Sequence, residues 1–378
     1  MAVQEAGGGR LRTEWYKENK MAGSVFGEQF RITTWGESHG RAVGVTVDGC
    51  PAGLPLCDED VQIYLDRRKP GQSRFTTARQ EEDRVEILSG IFEGRTTGTP
   101  ISMLVWNKDQ RSKDYSGIMD VYRPGHADLG YDAKYGFRDY RGGGRSSARE
   151  TTARVAAGAV ASRLLGQYGI TVTAYTRSIG PVTISQEHFD LAERDRNRLY
   201  MPDEEAAVRA QAFLEEMLQE TDSAGGVVEC VIQGVPAGVG EPVFDKLDAC
   251  LARAVMSIGA VKGFEIGDGF AAALSRGSEN NDAFYRDKSG KLYKKTNHSG
   301  GILGGISDGS DIVLRAAFKP TPSIAKEQET VNSNGENVKI RIQGRHDPIV
   351  VPRAVVVVEA MAALTVADLL LRNRGSRV

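Results

Sequence analysis

VTVDGCPAGLPL, Val45 to Leu56, and CVIQGVPAGVGEP, Cys230 to Pro242, decide how this chain is organised. Each is a strand-like run ending in G-x-P-A-G. Each leads into a helical stretch, Asp58–Arg68 in the first case and Val243–Ile258 in the second. Further on, SGIFEGRTTGTPI (Ser89–Ile101) is echoed by GGILGGISDGSDI (Gly300–Ile312). A third echo sets Gly144-Arg145-x-Ser147 against Gly344-Arg345-x-Asp347. Each precedes a long helix, Glu150–Tyr168 or Pro352–Arg372, and Pro352 suits a helix first turn. Glycine-rich turns look alike by chance, but three echoes in one order point to a duplicated unit.

Duplication predicts an α+β, pseudo-twofold molecule with four principal helices and strands in two sets. Alternation in Val43–Val47, Val227–Val231 and Asp311–Ala317 marks strands. No Pro/Ser linker divides the halves, so residues 21–378 read as one interlocked domain with repeats at about 40–168 and 226–373. An αβ layered sandwich buries both helix faces and one face of each sheet. The helix at Glu150–Tyr168 carries Ala153, Ala156, Ala157, Gly158, Ala159 and Ala161, small residues that permit close helix–helix approach. Polar Ser275–Asn297 interrupts only the second repeat and reads as a mobile excursion that could act as a lid, or as an ordinary hairpin. Residues 1–20 read as a flexible extension outside the fold.

Lys plus Arg is 48 and Asp plus Glu is 50, giving a net charge of −2, which argues against a general nucleic-acid binder. Cys50, Cys57, Cys230 and Cys250 show no CxxC spacing, so a reducing, cytoplasmic setting is expected. The most apolar run, Ala354–Leu371, is interrupted by Glu359 and Asp368 and reads as a buried helix, not a membrane span.

Charge is concentrated from Tyr122 to Thr152, where YRPGHAD is followed by DYRGGGRSSARETT. Glycines let the backbone approach a ligand, arginine forks match phosphate and carboxylate, and His126 can move a proton near neutral pH. This describes a site for a polyanionic ligand beside a proton-transfer group. Basic residues recur in Arg67-Arg68-Lys69-Pro70-Gly71-Gln72-Ser73-Arg74. Cationic capping of a helix end explains Arg67 or Arg68 but not Arg74. Lys319-Pro320-Thr321-Pro322-Ser323 is a rigid loop able to hold an anion. Asp347 offers an acid before a helix, where it can also serve as a helix-start residue. Gly36-Glu37-Ser38-His39-Gly40 exposes a serine and a histidine, but a strand-like segment follows, so it is not a hydrolase nucleophile elbow. Gly300–Gly305 fits neither a P-loop nor a dinucleotide fingerprint.

GESHG, DRRKPGQSR, YRPGHAD, DYRGGGRSSARET, NHSGGILGG, KPTPS and GRHDP together, in this order, resemble the chorismate synthase family from about Met21 to the C-terminus. The resemblance implies a β-α-β sandwich, four helices between antiparallel sheets, in a homotetramer. It implies an anti-1,4-elimination of phosphate from 5-enolpyruvylshikimate 3-phosphate to give chorismate. The reaction is the last shikimate-pathway step and needs reduced FMN without net redox change. By resemblance Arg68, Arg74, Arg123, Arg149 and Arg345 face substrate anions. Arg145, Ser146, Ser147, Gly259, Ala260, Gly304, Lys319, Pro320, Thr321, Pro322, Ser323 and Arg345 line FMN. His39 is then the general acid for the leaving phosphate, and His126 holds the flavin's charge state. Asp347, with Ser38 and Ser147, relays a proton. No metal is implied. A flavin reductase acting on NADPH would share the FMN loops, but with no added dinucleotide motif an external reductant is expected. An RNA-binding module is disfavoured by the neutral charge and the few aromatics in the arginine-rich stretch.

Overall fold

The computed structural model describes residues 23–72, 75, 81–109, 118–288, 290, 292–342 and 347–377. The expected extension at residues 1–20 and the Gly344–Arg345 part of the third echo lie outside them.

The first half opens with β1 (Val25–Phe26), β2 (Arg31–Gly36) and β3 (Ala42–Asp48), followed by α1 (Asp58–Arg68) and β4 (Val85–Ile87). The β5–β6 hairpin (Ile91–Phe92, Arg95–Thr96), β7 (Ile101–Trp106), α2 (Asp128–Tyr135) and α3 (Thr151–Gly166) complete it. The second half runs β8 (Thr171–Ile179), β9 (Val182–Thr183), α4 (Glu204–Gln219), β10 (Gly226–Gln233), α5 (Leu247–Met256) and β11 (Val261–Ile266). Then come α6 (Gly277–Asn280) and the hairpins β12–β13 (Phe284–Arg286, Leu292–Lys294) and β14–β15 (Ile302–Leu303, Ile306–Ser307). Strand β16 (Ile312–Phe318), the hairpin β17–β18 (Gln328–Val331, Asn337–Ile340) and α7 (Val351–Asn373) finish the chain.

Two five-stranded antiparallel sheets result, ordered β1-β2-β3-β7-β4 and β11-β16-β10-β8-β9. Within them β2-β3-β7-β4 and β8-β10-β16-β11 have the same order, each with a helix after its second strand and a long helix after its third. The pseudo-twofold α+β layering is therefore physical. Helix α3 lies on β3 and β7, α7 lies on β8 and β10, α3 packs on α7, and α1 and α5 flank the pair. Strand β16 shows the expected period of two, with Ile312, Leu314, Ala316 and Phe318 buried. Burying each large aliphatic side chain contributes about 1.5–3 kcal/mol. Helix α7 is long and apolar enough to cross a membrane, yet it is buried inside the protein along nearly its whole length.

Helix α5 starts later than the sequence indicates. The Glu241 N–H donates to the Asp245 carbonyl (3.1 Å), so a turn occupies Val243–Lys246, and Val243 and Phe244 are exposed. The polar segment Ser275–Asn297 is the short helix α6 and the hairpin β12–β13. Its base is pinned where Lys294 donates to Asp282 (3.2 Å), Asn297 (3.0 Å), Ser299 (2.9 Å) and Asp308 (2.7 Å). All four cysteines are free thiols.

Candidate active site

One cavity of about 770 Å³ lies where the ends of α1, α3, α5 and α7 meet the loops after β7 and β16, a size suited to small-molecule ligands. Six arginines and one lysine line it (Arg68, Arg123, Arg145, Arg149, Arg154, Arg353 and Lys319), against the carboxylates of Glu150 and Asp347. Such an excess of cations in a partly buried hollow selects for anions.

Arg68 ends α1, whose first turn is acidic and last turn basic, as the helix dipole favours. Its side chain is fully buried against Asp83, which Arg149 also contacts. Burial pushes the Arg68 guanidinium down to about 10, although Asp83 resists. Burial alone would raise Asp83, but the two guanidinium groups hold it below the usual carboxylate range. Arg149 Nε also donates to Asn107 Oδ1 (2.8 Å), and the Asn107 amide donates to the carbonyls of Glu37 (3.0 Å) and Gly40 (2.8 Å). Asn107 thus ties the Ser38–His39 turn to Arg149. Gly36 makes that turn possible: at φ +90°, a Cβ there would lie 2.2 Å from the Ala42 carbonyl oxygen.

The three glycines at 142–144 all have positive φ, and they pass between two histidines. A Cβ on Gly142 would lie 2.5 Å from His39 Cε1 and 2.8 Å from Ser38 Oγ; one on Gly143 would lie 3.0 Å from His126 Cε1. Adjacent backbone positions therefore touch both candidate proton-transfer groups. His39 is buried behind this run, while Ser38 and His126 line the cavity itself.

His126 belongs to a compact cluster. Arg123 donates to Asp128 from its backbone N–H (3.1 Å), Nε (2.7 Å) and Nη2 (2.7 Å), and His126 Nδ1 stands 2.9 Å from Asp128 Oδ1. Burial opposes ionisation of Asp128, but the hydrogen bonds from Arg123 and His126 hold it far below the usual range. Across the cavity Lys319 Nζ donates to the Gly125 carbonyl (2.5 Å), and the Lys319 N–H donates to the Ala260 carbonyl (2.9 Å).

Most of the expected site residues converge here. Ser38, Arg68, Arg123, His126, Arg145, Ser146, Ser147, Arg149, Gly259, Ala260, Lys319, Thr321, Pro322, Ser323 and Asp347 line the cavity. Arg145 also donates to Gly36 O (3.1 Å) and Thr34 Oγ1 (2.8 Å). Ser147 Oγ accepts from the Arg149 N–H (3.3 Å). Pro320 turns away towards Gly225. Gly304 is not at this cavity. It sits in the β14–β15 turn at the start of α5, where the Leu247 N–H donates to Gly305 O (2.8 Å), whereas the cavity is at the far end of that helix. Arg74 and Arg345 lie outside the described residues. Sequence reasoning passed over Asp83, Asn107, Asp128, Arg154 and Arg353. Asp128 stood in view within GHAD, two residues from His126; nothing local distinguishes the others.

The donor set fits a phosphate-bearing flavin. Ser146, Ser147, Lys319 and Ser323 offer donors, and the Thr321 hydroxyl is buried with no hydrogen-bond partner among the described residues.

The family model for chorismate synthase matches residues 30–371. Chorismate synthase of Agathobacter rectalis is 65% identical over 358 residues, 95% of this chain and 97% of the relative. That of Lachnoclostridium phytofermentans is 64% identical, covering 95% and 98%. The archaeal enzyme of Methanosarcina mazei is 59% identical over 356 residues, covering 93% and 97%. A chorismate synthase crystal structure superposes with a TM-score of 0.74 at 32% identity, covering 93% of this chain and 94% of the other.

Proposed function

The chain belongs to the chorismate synthase family, and on that premise we propose that the arginine-lined cavity is its active site. The enzyme is a carbon–oxygen lyase. It eliminates phosphate and a ring hydrogen from 5-enolpyruvylshikimate 3-phosphate, giving chorismate and inorganic phosphate with no net redox change. The observation that carries the assignment of the site is one hollow that combines six arginines, one lysine, His126 and Gly142, with His39 buried directly behind Gly142.

The substrate bears a phosphate and two carboxylates. Arg68, Arg123 and Arg149 bind these anions, and the same role is proposed for Arg74 and Arg345, which lie outside the described residues, so that little buried charge is left unpaired. FMN is the flavin we propose, its phosphate held by Lys319, Thr321, Ser323 and the Arg145–Ser147 turn. When bound and reduced, it supplies the electron density that an unactivated ring C–H bond needs in order to break. His39 gives a proton to the departing phosphate oxygen, which makes phosphate a better leaving group. What supports this role is its burial beside Ser38 and Gly142 at the rim of the cavity. His126 holds the charge state of the neighbouring ring system. Asp347, with Ser38 and Ser147, carries the abstracted proton away. Walls of Ile258, Phe318 and Val357 exclude water on one side.

Exposed Phe244, Phe270 and Leu274 favour burial against further copies of the chain, in keeping with a homotetramer. Free cysteines suit the cytoplasm. Reducing equivalents come from an external reductant.

The test is anaerobic phosphate release from 5-enolpyruvylshikimate 3-phosphate with and without chemically reduced FMN, then with NADPH and oxidised FMN. Release only with reduced FMN is expected. Release with NADPH would add a flavin reductase activity, and no release in either arm would overturn the reading.

A further inference from the structure

Nδ1 of His126 has two rival partners at equal distance. Arg123 Nη2 and Asp128 Oδ1 each stand 2.9 Å from it. A guanidinium can only donate and an ionised carboxylate can only accept. One ring nitrogen cannot satisfy both. If Nδ1 carries a lone pair it accepts from Arg123, and the neutral ring bears its proton on Nε2. If Nδ1 carries the proton it donates to Asp128, and Nε2 is left to exchange a proton with whatever fills the cavity. His126 lines the cavity, and its Nε2 lies 3.3 Å from where a Cβ of Gly143 would stand.

We propose that Asp128 is a positioning residue that selects the Nδ1–H form of His126, and that an anion bound at Arg123 strengthens this selection. The carboxylate is almost fully buried and takes three hydrogen bonds from Arg123, so its position is fixed. Arg138 Nε stands 3.9 Å behind Asp128 Oδ1, and Lys319 faces the same loop through the Gly125 carbonyl. An anionic group that engages Arg123 turns Nη2 towards itself and away from Nδ1. The remaining partner for Nδ1 is then Asp128. Substrate arrival and the proton-exchanging face of His126 are thereby linked through a single side chain. The nitrogen that bears the proton is set by the hydrogen bond that the other one makes. The inference rests on the reading that His126 faces bound ligand.

The experiment is nitrogen-15 NMR of histidine-labelled full-length enzyme, with His126→Ala used to assign the signals. Spectra are taken at a pH where the ring is neutral, without and with inorganic phosphate as the anion probe. The expected result is the Nδ1–H form in the wild type, enriched by phosphate. In Asp128→Asn the population shifts towards Nε2–H and turnover falls about 100-fold or more. Asp128→Glu restores part of both. An Nε2–H ring in the wild type, a population indifferent to phosphate, or an unchanged ring in Asp128→Asn each overturns the proposal. The wild-type spectra stand even if the asparagine variant does not fold. Normal turnover by His126→Ala would instead remove the role of His126 itself, an outcome distinct from failure of the tautomer selection.

Discussion

Arg67 and Glu359 form a two-pronged ion pair across the two halves of the molecule, with Nη1 to Oε2 at 2.6 Å and Nη2 to Oε1 at 3.0 Å. Glu359 is the buried charge in the middle of α7, and it also accepts from the Ala174 backbone N–H (2.9 Å) and Arg194 (3.3 Å). Arg67 precedes Arg68, so the pair anchors the end of α1 that enters the cavity. Breaking one partner of a buried pair leaves the other uncompensated. Glu359→Ala should therefore destabilise the fold by about 3 kcal/mol or more, read from urea denaturation midpoints. A change within experimental error would show that the pair contributes only neutral packing.

Gly158 on α3 meets Ala360 on α7. A Cβ at Gly158 would lie 2.3 Å from the Ala360 Cβ and 2.5 Å from its Cα. Two effects oppose each other in Gly158→Ala. Helix propensity gains about 1 kcal/mol, while overpacking against a backbone atom costs about 1–3 kcal/mol. Because the clash is with backbone, the second should win, and the variant should unfold at lower temperature. A higher melting temperature would mean that the helices can part freely.

His39→Ala should cut turnover strongly while flavin affinity stays close to that of the parent enzyme, because its proposed work is on the leaving phosphate. Gly142→Ala should reproduce the defect while keeping the imidazole, since the new methyl group would lie 2.5 Å from His39 Cε1 and displace the ring. Flavin titration alongside steady-state kinetics checks both. Lost flavin binding in His39→Ala would recast that histidine as part of the cofactor site.

Arg353 Nη1 donates to Asp347 Oδ2 (2.6 Å), and its Nε donates to the Arg68 carbonyl (3.1 Å). One guanidinium thus steadies the proposed proton acceptor and the end of α1. Arg353→Gln should lower kcat on the order of 100-fold, as small misplacements of catalytic groups do. Arg353→Lys, which keeps the charge but not the fork, should fall between. Equal kcat in all three forms would show that Asp347 is held by other contacts.

Asp282 accepts from Ser299 N (3.0 Å), Ser299 Oγ (2.6 Å), His298 N (2.8 Å) and Thr296 Oγ1 (2.7 Å). Desolvation works against it, yet these bonds hold its carboxyl well below the usual carboxylate range. A depressed native value gives stability that is fully present above the unfolded value and is lost as pH falls through the native one. The wild type should lose stability below about pH 4. Asp282→Asn should be weaker at pH 7 and fall less steeply in that acid window. Parallel pH dependences in the two proteins would exclude Asp282 as a contributor.

The paired G-x-P-A-G turns, the alternating strands and the apolar run in α7 were legible because they are local. Backbone preference and the spacing of apolar residues fix them one segment at a time. The arginines and glycines of YRPGHAD and DYRGGGRSS marked a candidate anion site for the same reason. Other features could not be read in this way. Asp83 bridges Arg68 and Arg149, Asn107 ties the Ser38–His39 turn to Arg149, and Arg353 reaches both Asp347 and Arg68. Each joins segments far apart in sequence, and only packing brings them within hydrogen-bonding distance. Gly304 shows the converse: its motif matched, but its turn sits at the opposite end of α5 from the cavity. The sequence by itself determined which elements form and which chemistry they carry. The tertiary structure decided which charges neutralise one another and which remain for a ligand, because that balance depends on distances and burial that no single segment contains.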